Sequence, residues 1–218
     1  AYEYDDELAW YPEAALEPYA EKYDPSLQTW AALPERLGSR PIDFVAVTTC
    51  NDCLYLMGGV VWCLERLQNN LGHIQVEHPV GLTQRYDARS NSWEVLSPMP
   101  QRRYWPVAAT MNEKIYVFGG EDASGLLTTL ECFDPISGAW QTLSPMPAAL
   151  LTGFSVATLG GSTRMHVFGA AVPSDNHLQS RFVVSCFDTY TSEWEIVPSP
   201  SLKRSWFWQT LKLTTKRG

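Results

Sequence analysis

Residues 131–147 read ECFDPISGAWQTLSPMP, and within them an aromatic residue, an aspartate and, six residues after the aspartate, a tryptophan form the pattern that decides the fold. It occurs four times: YDPSLQTW ends at Trp30, YDARSNSW at Trp93, FDPISGAW at Trp140 and FDTYTSEW at Trp194. Intervals of 63, 47 and 54 residues between the tryptophans mark an array of supersecondary units joined by loops of variable length. Upstream of the last three copies stand CLYLMGG (53–59), KIYVFGG (114–120) and RMHVFGA (164–170), each a strand-like run that closes on small residues able to turn sharply or to be approached closely. Before each of these lies another such run, DFVAVTT, PVAATM or FSVATL, joined to it by the hairpin-turn sequences CND, NE or GGS.

One unit therefore reads as four strands, with the aspartate capping backbone donors in the last turn and the tryptophan opening the fourth strand. A sheet of that size cannot bury both of its faces alone. Radial stacking covers them and leaves only short edges, so the expected architecture is an all-β propeller. Helix is poorly supported, since PEAALEPYAEKY near the start is interrupted by prolines.

The diglycines Gly58-Gly59 and Gly119-Gly120, the aromatic-aspartate pair, the spaced tryptophan and the PMP that follows resemble kelch repeats over residues 16–213. The wording LSPMPxxR is most similar to the kelch domains of BTB-kelch proteins, the substrate receptors of cullin-RING ubiquitin ligases. At Gly169-Ala170 a methyl replaces the hydrogen of the second glycine, and an altered turn is expected there. The chain is expected to be a single, partial propeller. Residues 1–15 read as an acidic arm or loop, 16–40 as the end of an incomplete blade, and 41–100, 101–147 and 148–200 as full blades. Residues 201–218, with SWFWQTLKL, read as the first strand of a closing blade and a tail. A self-contained four-bladed ring closed by residues 1–15 is the other arrangement the count allows.

Counting ten residues forward from each tryptophan reaches Arg40, Arg103, Leu150 and Arg204, in the connections between blades. The resemblance implies that these connections, with the loops between second and third strands, form the partner-binding rim. Guanidinium groups gathered there suit an acidic or phosphorylated peptide loop, because the planar fork binds carboxylate or phosphate bidentately. The same arginines could instead brace the blades by donating to carbonyls, and the sequence leaves both roles open. Arg102 and Tyr104 beside Arg103, with Trp62 and Arg66 in the long segment VVWCLERLQNNLGHIQVEHPVGLT (60–83), complete the candidate contact set.

Of the net charge of -8, residues 1–24 hold eight acids against one base, and the remainder is close to neutral. No basic stripe for nucleic acid and no apolar run for a membrane is present. Five cysteines, an odd number, fit a reducing compartment, and the cytoplasm is expected. The start at Ala1 suggests a fragment or a processed chain.

No catalytic constellation emerges, and an enzyme is not expected. His73, His78, His166 and His177 fall at unrelated repeat positions, and the glycine pairs end strands without a following helix that could cradle phosphate. No metal or cofactor is expected either. Cys50 and Cys53 flank a hairpin turn, while His73 and His78 follow the far end of the next strand, about 20 Å away for a strand of that length. Cys132 and Cys186 share one strand position and read as core thiols. The expectation is a protein-binding module, the substrate-recognition part of a BTB-kelch ligase adaptor; an actin-binding or scaffold protein without ligase role is the alternative.

Overall fold

The computed structural model describes residues 20–34, 42–66, 73–150, 153–171 and 181–198, with the side chains of residues 63–66, 73–75 and 181 left aside. All eighteen elements among them are strands. Three four-stranded antiparallel sheets follow one another in sequence. Blade I comprises β3 (Ala46–Cys50), β4 (Cys53–Met57), β7 (Thr83–Asp87) and β8 (Ser92–Val95). Blade II comprises β9 (Val107–Met111), β10 (Lys114–Phe118), β13 (Leu130–Asp134) and β14 (Ala139–Leu143), and blade III β15 (Ser155–Thr158), β16 (Arg164–Ala171), β17 (Arg181–Asp188) and β18 (Glu193–Val197). Ahead of them, β1 (Glu21–Asp24) and β2 (Thr29–Ala32) pair as a third and fourth strand. The first strands adjoin one another, β3 beside β9 and β9 beside β15, so the sheets are arranged as blades of a propeller.

Each turn from third to fourth strand is built the same way. Asp24, Asp87, Asp134 and Asp188 use Oδ1 to accept backbone N–H groups two or three residues ahead, at 2.8–3.4 Å. Four residues after each aspartate the backbone enters the left-handed region, at Gln28, Asn91, Gly138 and Ser192. At Asp24 the Ser26 hydroxyl and then these amides, and at Asp134 and Asp188 the amides, bond to the charged form and hold the carboxyls below the ordinary carboxylate range. Register then sets Tyr23 opposite Trp30, Tyr86 opposite Trp93, Phe133 opposite Trp140 and Phe187 opposite Trp194. Their ring centroids lie 5.0–5.1 Å apart.

The tryptophans also latch neighbouring blades. Nε1 of Trp93 donates to the Pro34 carbonyl, that of Trp140 to Ser97 and that of Trp194 to Ser144, at 2.8–3.0 Å, each acceptor lying just after the fourth strand of the preceding unit. The core consequently lies between blades. Tyr55, Met57 and Met99 of blade I meet Ile115, Val117 and Phe133 of blade II. Tyr116, Phe118 and Leu130 on the other face of blade II meet Met165, Val167 and Phe187 of blade III.

The glycine pairs end β4 and β10 because connector backbone presses against them. A Cβ on Gly58 would sit 2.7 Å from the Arg103 carbonyl oxygen, and one on Gly120 2.7 Å from that of Tyr104, and all four diglycine residues have positive φ. Neither Gly169 nor Ala170 adopts positive φ, and β16 runs straight through them for eight residues, paired with β17 throughout. The altered turn expected at Gly169-Ala170 is thus an uninterrupted strand, because alanine resists the left-handed region. The long segment after Gly59 is a β-ribbon of β5 (Val60–Arg66) and β6 (His73–Pro79). Its counterpart in blade II is the short pair β11 (Glu121–Asp122) and β12 (Gly125–Leu126).

Candidate functional site

The connectors between blades and the β5–β6 ribbon share one end of the propeller. Where each connector meets its own blade, a single bridge forms: Asp43 with Val60, Tyr104 with Glu121 and Leu150 with Ala171. These bridges align the connectors better than counting from the tryptophans does. Asp43 and Tyr104 stand three residues before β3 and β9, whereas Leu150 stands five before β15. Position for position, the neighbour of Asp43 that corresponds to Arg103 is Ile42.

Arg103 lies inside the fold, not on the rim, and its side chain is wholly buried. Nη2 meets Glu131 Oε2 at 2.6 Å, and Nη1 donates to the carbonyls of Gly119 at 2.8 Å and Thr129 at 3.2 Å. Nε reaches the Gln101 carbonyl at 3.4 Å, while the Gln101 amide donates to Glu131 Oε1. Burial raises the Glu131 carboxyl, with Arg103 opposing the rise. Arginine stays charged in proteins, so the pair is an ion pair sealed within blade II. Of the two roles the sequence left open, the bracing one describes Arg103, and its place in the expected contact set is corrected accordingly. A signal was available: Glu131 is a carboxylate between Leu130 and Cys132 in the buried strand LECFD and needed an internal cation. Gln84 and Ser185, both neutral, occupy its register position in blades I and III.

Arg40 and Arg204 lie outside the described residues. Arg66 closes the β5–β6 ribbon opposite His73, and its side chain is not described. Arg102 is exposed. Trp62 is half-buried, and its Nε1 donates to Asp43 Oδ2 at 2.9 Å, tying the ribbon to the connector of blade I. Tyr104 is half-buried, and burial, then Glu121, Glu77 and Asp122, raises its hydroxyl above the ordinary phenol value.

Two aromatics absent from the expected set complete the face. Phe44 and Trp105 each stand two residues before a first strand, and the Trp105 amide donates to the Phe44 carbonyl at 3.0 Å. Their rings are 4.8 Å apart, and the Trp105 ring meets that of Tyr104 edge-on at 5.0 Å. Both residues have left-handed backbones, φ 56° at Phe44 and 53° at Trp105, and the residue two before β15 is Gly153, with φ 88°. Blade III thus fills this position with the residue the conformation favours, while blades I and II hold large aromatics there at a cost. Phe44 remains 41% exposed. Strain of this kind collects at ligand-contacting sites, and here it supports an aromatic platform of Phe44, Trp105 and Tyr104.

Among the described residues no group of three or more His, Cys, Asp or Glu side chains could hold a metal, and no helix is long and apolar enough to cross a membrane.

The kelch motif family matches residues 102–147. Kelch-like protein 31 of Homo sapiens is 34% identical over 83 residues, 38% of this chain and 13% of that relative. Kelch-like protein 35 of Mus musculus is 26% identical over 188 residues, 86% of this chain and 29% of the relative. The matched region therefore spans less than a third of either relative. Among solved structures, that of YjhT aligns with a TM-score of 0.56 at 20% identity, over 79% of this chain and 56% of that one, and supports the fold alone. Matched motif, blade architecture and repeated turn agree: the chain is a kelch-repeat β-propeller domain, similar to those of the kelch-like proteins.

Proposed function

We propose that this domain is the substrate-recognition part of a BTB-kelch adaptor of a cullin-RING ubiquitin ligase, working in the cytoplasm, and that it grips its protein partner at the face formed by the connectors and the β5–β6 ribbon. The observation that carries the reading is the aromatic platform of exposed Phe44 with half-buried Trp105 and Tyr104, of which Phe44 and Trp105 occupy a left-handed position that blade III gives to glycine. Aromatics held rigidly at a surface supply much of the contact energy in protein interfaces. Arg102, two residues before Tyr104, and Trp62, bonded to Asp43 next to Phe44, remain proposed contacts together with Arg40, Arg66 and Arg204.

An acidic or phosphorylated peptide loop draws less support than the sequence promised, because Arg103 is internal and Glu77, Glu121 and Asp122 surround Tyr104. The partner segment that suits the described residues carries an apolar or aromatic anchor. The test is proximity labelling in cells with the full-length protein and with its Phe44→Gly, Trp105→Gly form. A set of partners that is lost in the double variant, and that accumulates when cullin neddylation is blocked, is the expected outcome. An unchanged partner set refutes the site. Partners that depend on the platform but ignore the cullin block, filamentous actin included, refute the ligase role.

A further inference from the structure

At the opposite end of the propeller, the turn between β3 and β4 brings two thiols together. Cys50 and Cys53 are direct partners in the β3–β4 ladder, separated only by Asn51 and Asp52, whose φ values of 49° and 62° make a tight left-handed turn. Residues flanking a two-residue hairpin turn form a hydrogen-bonded pair with Cα atoms about 5.5 Å apart, and their side chains leave the same face of the sheet. That separation lies inside the range of about 4.4–6.8 Å that a disulfide spans. Both cysteines are unpaired.

Access is provided on one side. A cavity of about 720 Å³ opens between the β1–β2 hairpin and blade I, and Cys50 and Cys53 line it together with Lys22, Leu33, Leu54 and Tyr86. Cys53 is half-buried, while Cys50 is only 4% exposed and directs Sγ to the Glu113 carbonyl at 3.4 Å, across to the matching turn of blade II. Cys132 and Cys186 are buried in strands of different blades, opposite Tyr116 and His166 in their own sheets.

We infer that Cys50 and Cys53 form an oxidisable dithiol, a modification site that a peroxide closes into a cross-strand disulfide. Sγ of Cys53, the more accessible thiol, attacks the peroxide, breaking the O–O bond and leaving a sulfenic acid and one water. Sγ of Cys50 then displaces the hydroxyl as a second water, so two thiols are oxidised and one peroxide is reduced. Closure removes the Cys50 hydrogen bond to Glu113 and with it one tie between blades I and II. A disulfide at a hydrogen-bonded cross-strand pair is strained, and strained disulfides are the readily reduced ones. The site is therefore reversible in a reducing compartment. Burial raises both thiols above their ordinary value, so the pair stays reduced until exposure to peroxide is sustained.

The experiment treats the reduced full chain with hydrogen peroxide and follows intact mass, then repeats it after dithiothreitol. The expected result is loss of the mass of two hydrogens, reversed by the reductant and abolished in both Cys50→Ser and Cys53→Ser. It should be retained in a Cys63→Ser, Cys132→Ser, Cys186→Ser variant. Loss of two hydrogens that survives in Cys53→Ser overturns the assignment. So does a native chain that gains oxygen without cross-linking, or one that stays unchanged at a dose that links the same cysteines in the urea-unfolded chain.

Discussion

Removing the Arg103 guanidinium is the sharpest test of its assignment to the interior. In Arg103→Met the Glu131 carboxylate stays in a site where both side chains are at most 2% exposed, and it loses its partner at 2.6 Å. Breaking a buried pair from one side costs about 3–5 kcal/mol. The carbonyls of Gly119 and Thr129 lose donors as well, a further cost of about 1–3 kcal/mol each where no water replaces them. Glu131→Leu strands the arginine instead and should cost about 3–5 kcal/mol. The double variant Arg103→Met, Glu131→Leu removes both charges and leaves only uncharged backbone groups, the Gly119 and Thr129 carbonyls and the Gln101 amide and carbonyl, without these partners, so it should be no less stable than the worse single. The coupling energy should then be at least about 3 kcal/mol, whereas exposed pairs couple by about 1 kcal/mol or less. Urea unfolding followed by tryptophan fluorescence measures all four corners of the cycle, with Arg103→Lys as a milder variant that remains folded. A loss of 3 kcal/mol corresponds to roughly 6–12 °C in Tm for a chain of this length. Singles within about 1 kcal/mol of the native chain, or a double equal to the sum of the singles, would refute the internal pair and return Arg103 to the surface.

Other expectations follow from the glycine pairs, the connectors and a buried phenol. Gly59→Ala would place a Cβ 2.5 Å from Ile42 Cγ2 and 2.7 Å from the Asp43 carbonyl, at φ 107°, and should cost about 2–5 kcal/mol in urea melts. Ala170→Gly, at the matching place in blade III, should cost no more than about 1 kcal/mol, and equal losses at the two positions would contradict the uninterrupted β16. Trp105→Gly should be more stable than Trp105→Ala by about 1 kcal/mol, because only glycine is relaxed at φ 53°; the reverse order would mean that the position is not left-handed. Burial pushes the Tyr116 hydroxyl up to about 12. Its folded value is raised, so its contribution is complete below the unfolded value of about 10 and is lost as pH rises toward the folded one. Across that window the native chain should lose about 2–3 kcal/mol relative to Tyr116→Phe in denaturant titrations, and parallel curves for the two would show that the phenol is solvated.

Some residues announced their place because their roles are local and repeated. An aspartate that accepts amides two or three residues ahead and a tryptophan opposite the preceding aromatic need only a turn and a register, so four copies of the pattern showed four equivalent turns. The hairpins at Asn51-Asp52 and Asn112-Glu113 were legible for the same reason. Arg103 was misread because its role depends on contacts across the sheet and on connector length. Counting from the tryptophan treated connectors of unequal length as aligned, although the register of β3, β9 and β15 shifts them by one or two residues. The β5–β6 ribbon was visible as an insertion but not as a ribbon, since its pairing begins only after Gly59 has turned the chain.

Phe44 and Trp105 stayed outside the expected contact set because φ is not written in composition, yet their geometry links structure to function. If this position only joined blades, glycine would serve it without strain, as Gly153 does ahead of β15. A large side chain there gives up stability unless its ring does something a glycine cannot. The rings make a contact between connectors, Phe44 against Trp105, and leave Phe44 facing outward. The arginine pair belongs to the same device. Arg103 is the residue before Tyr104, and its buried fork to Gly119, Thr129 and Glu131 fixes the chain at the point where the platform begins. The cation once assigned to the partner thus acts as the anchor of the aromatics that would meet it. Substitutions at Arg103 should therefore weaken partner binding by loosening Tyr104 and Trp105, and raising the ionic strength should not mimic their effect, because a buried pair is screened far less than an exposed one.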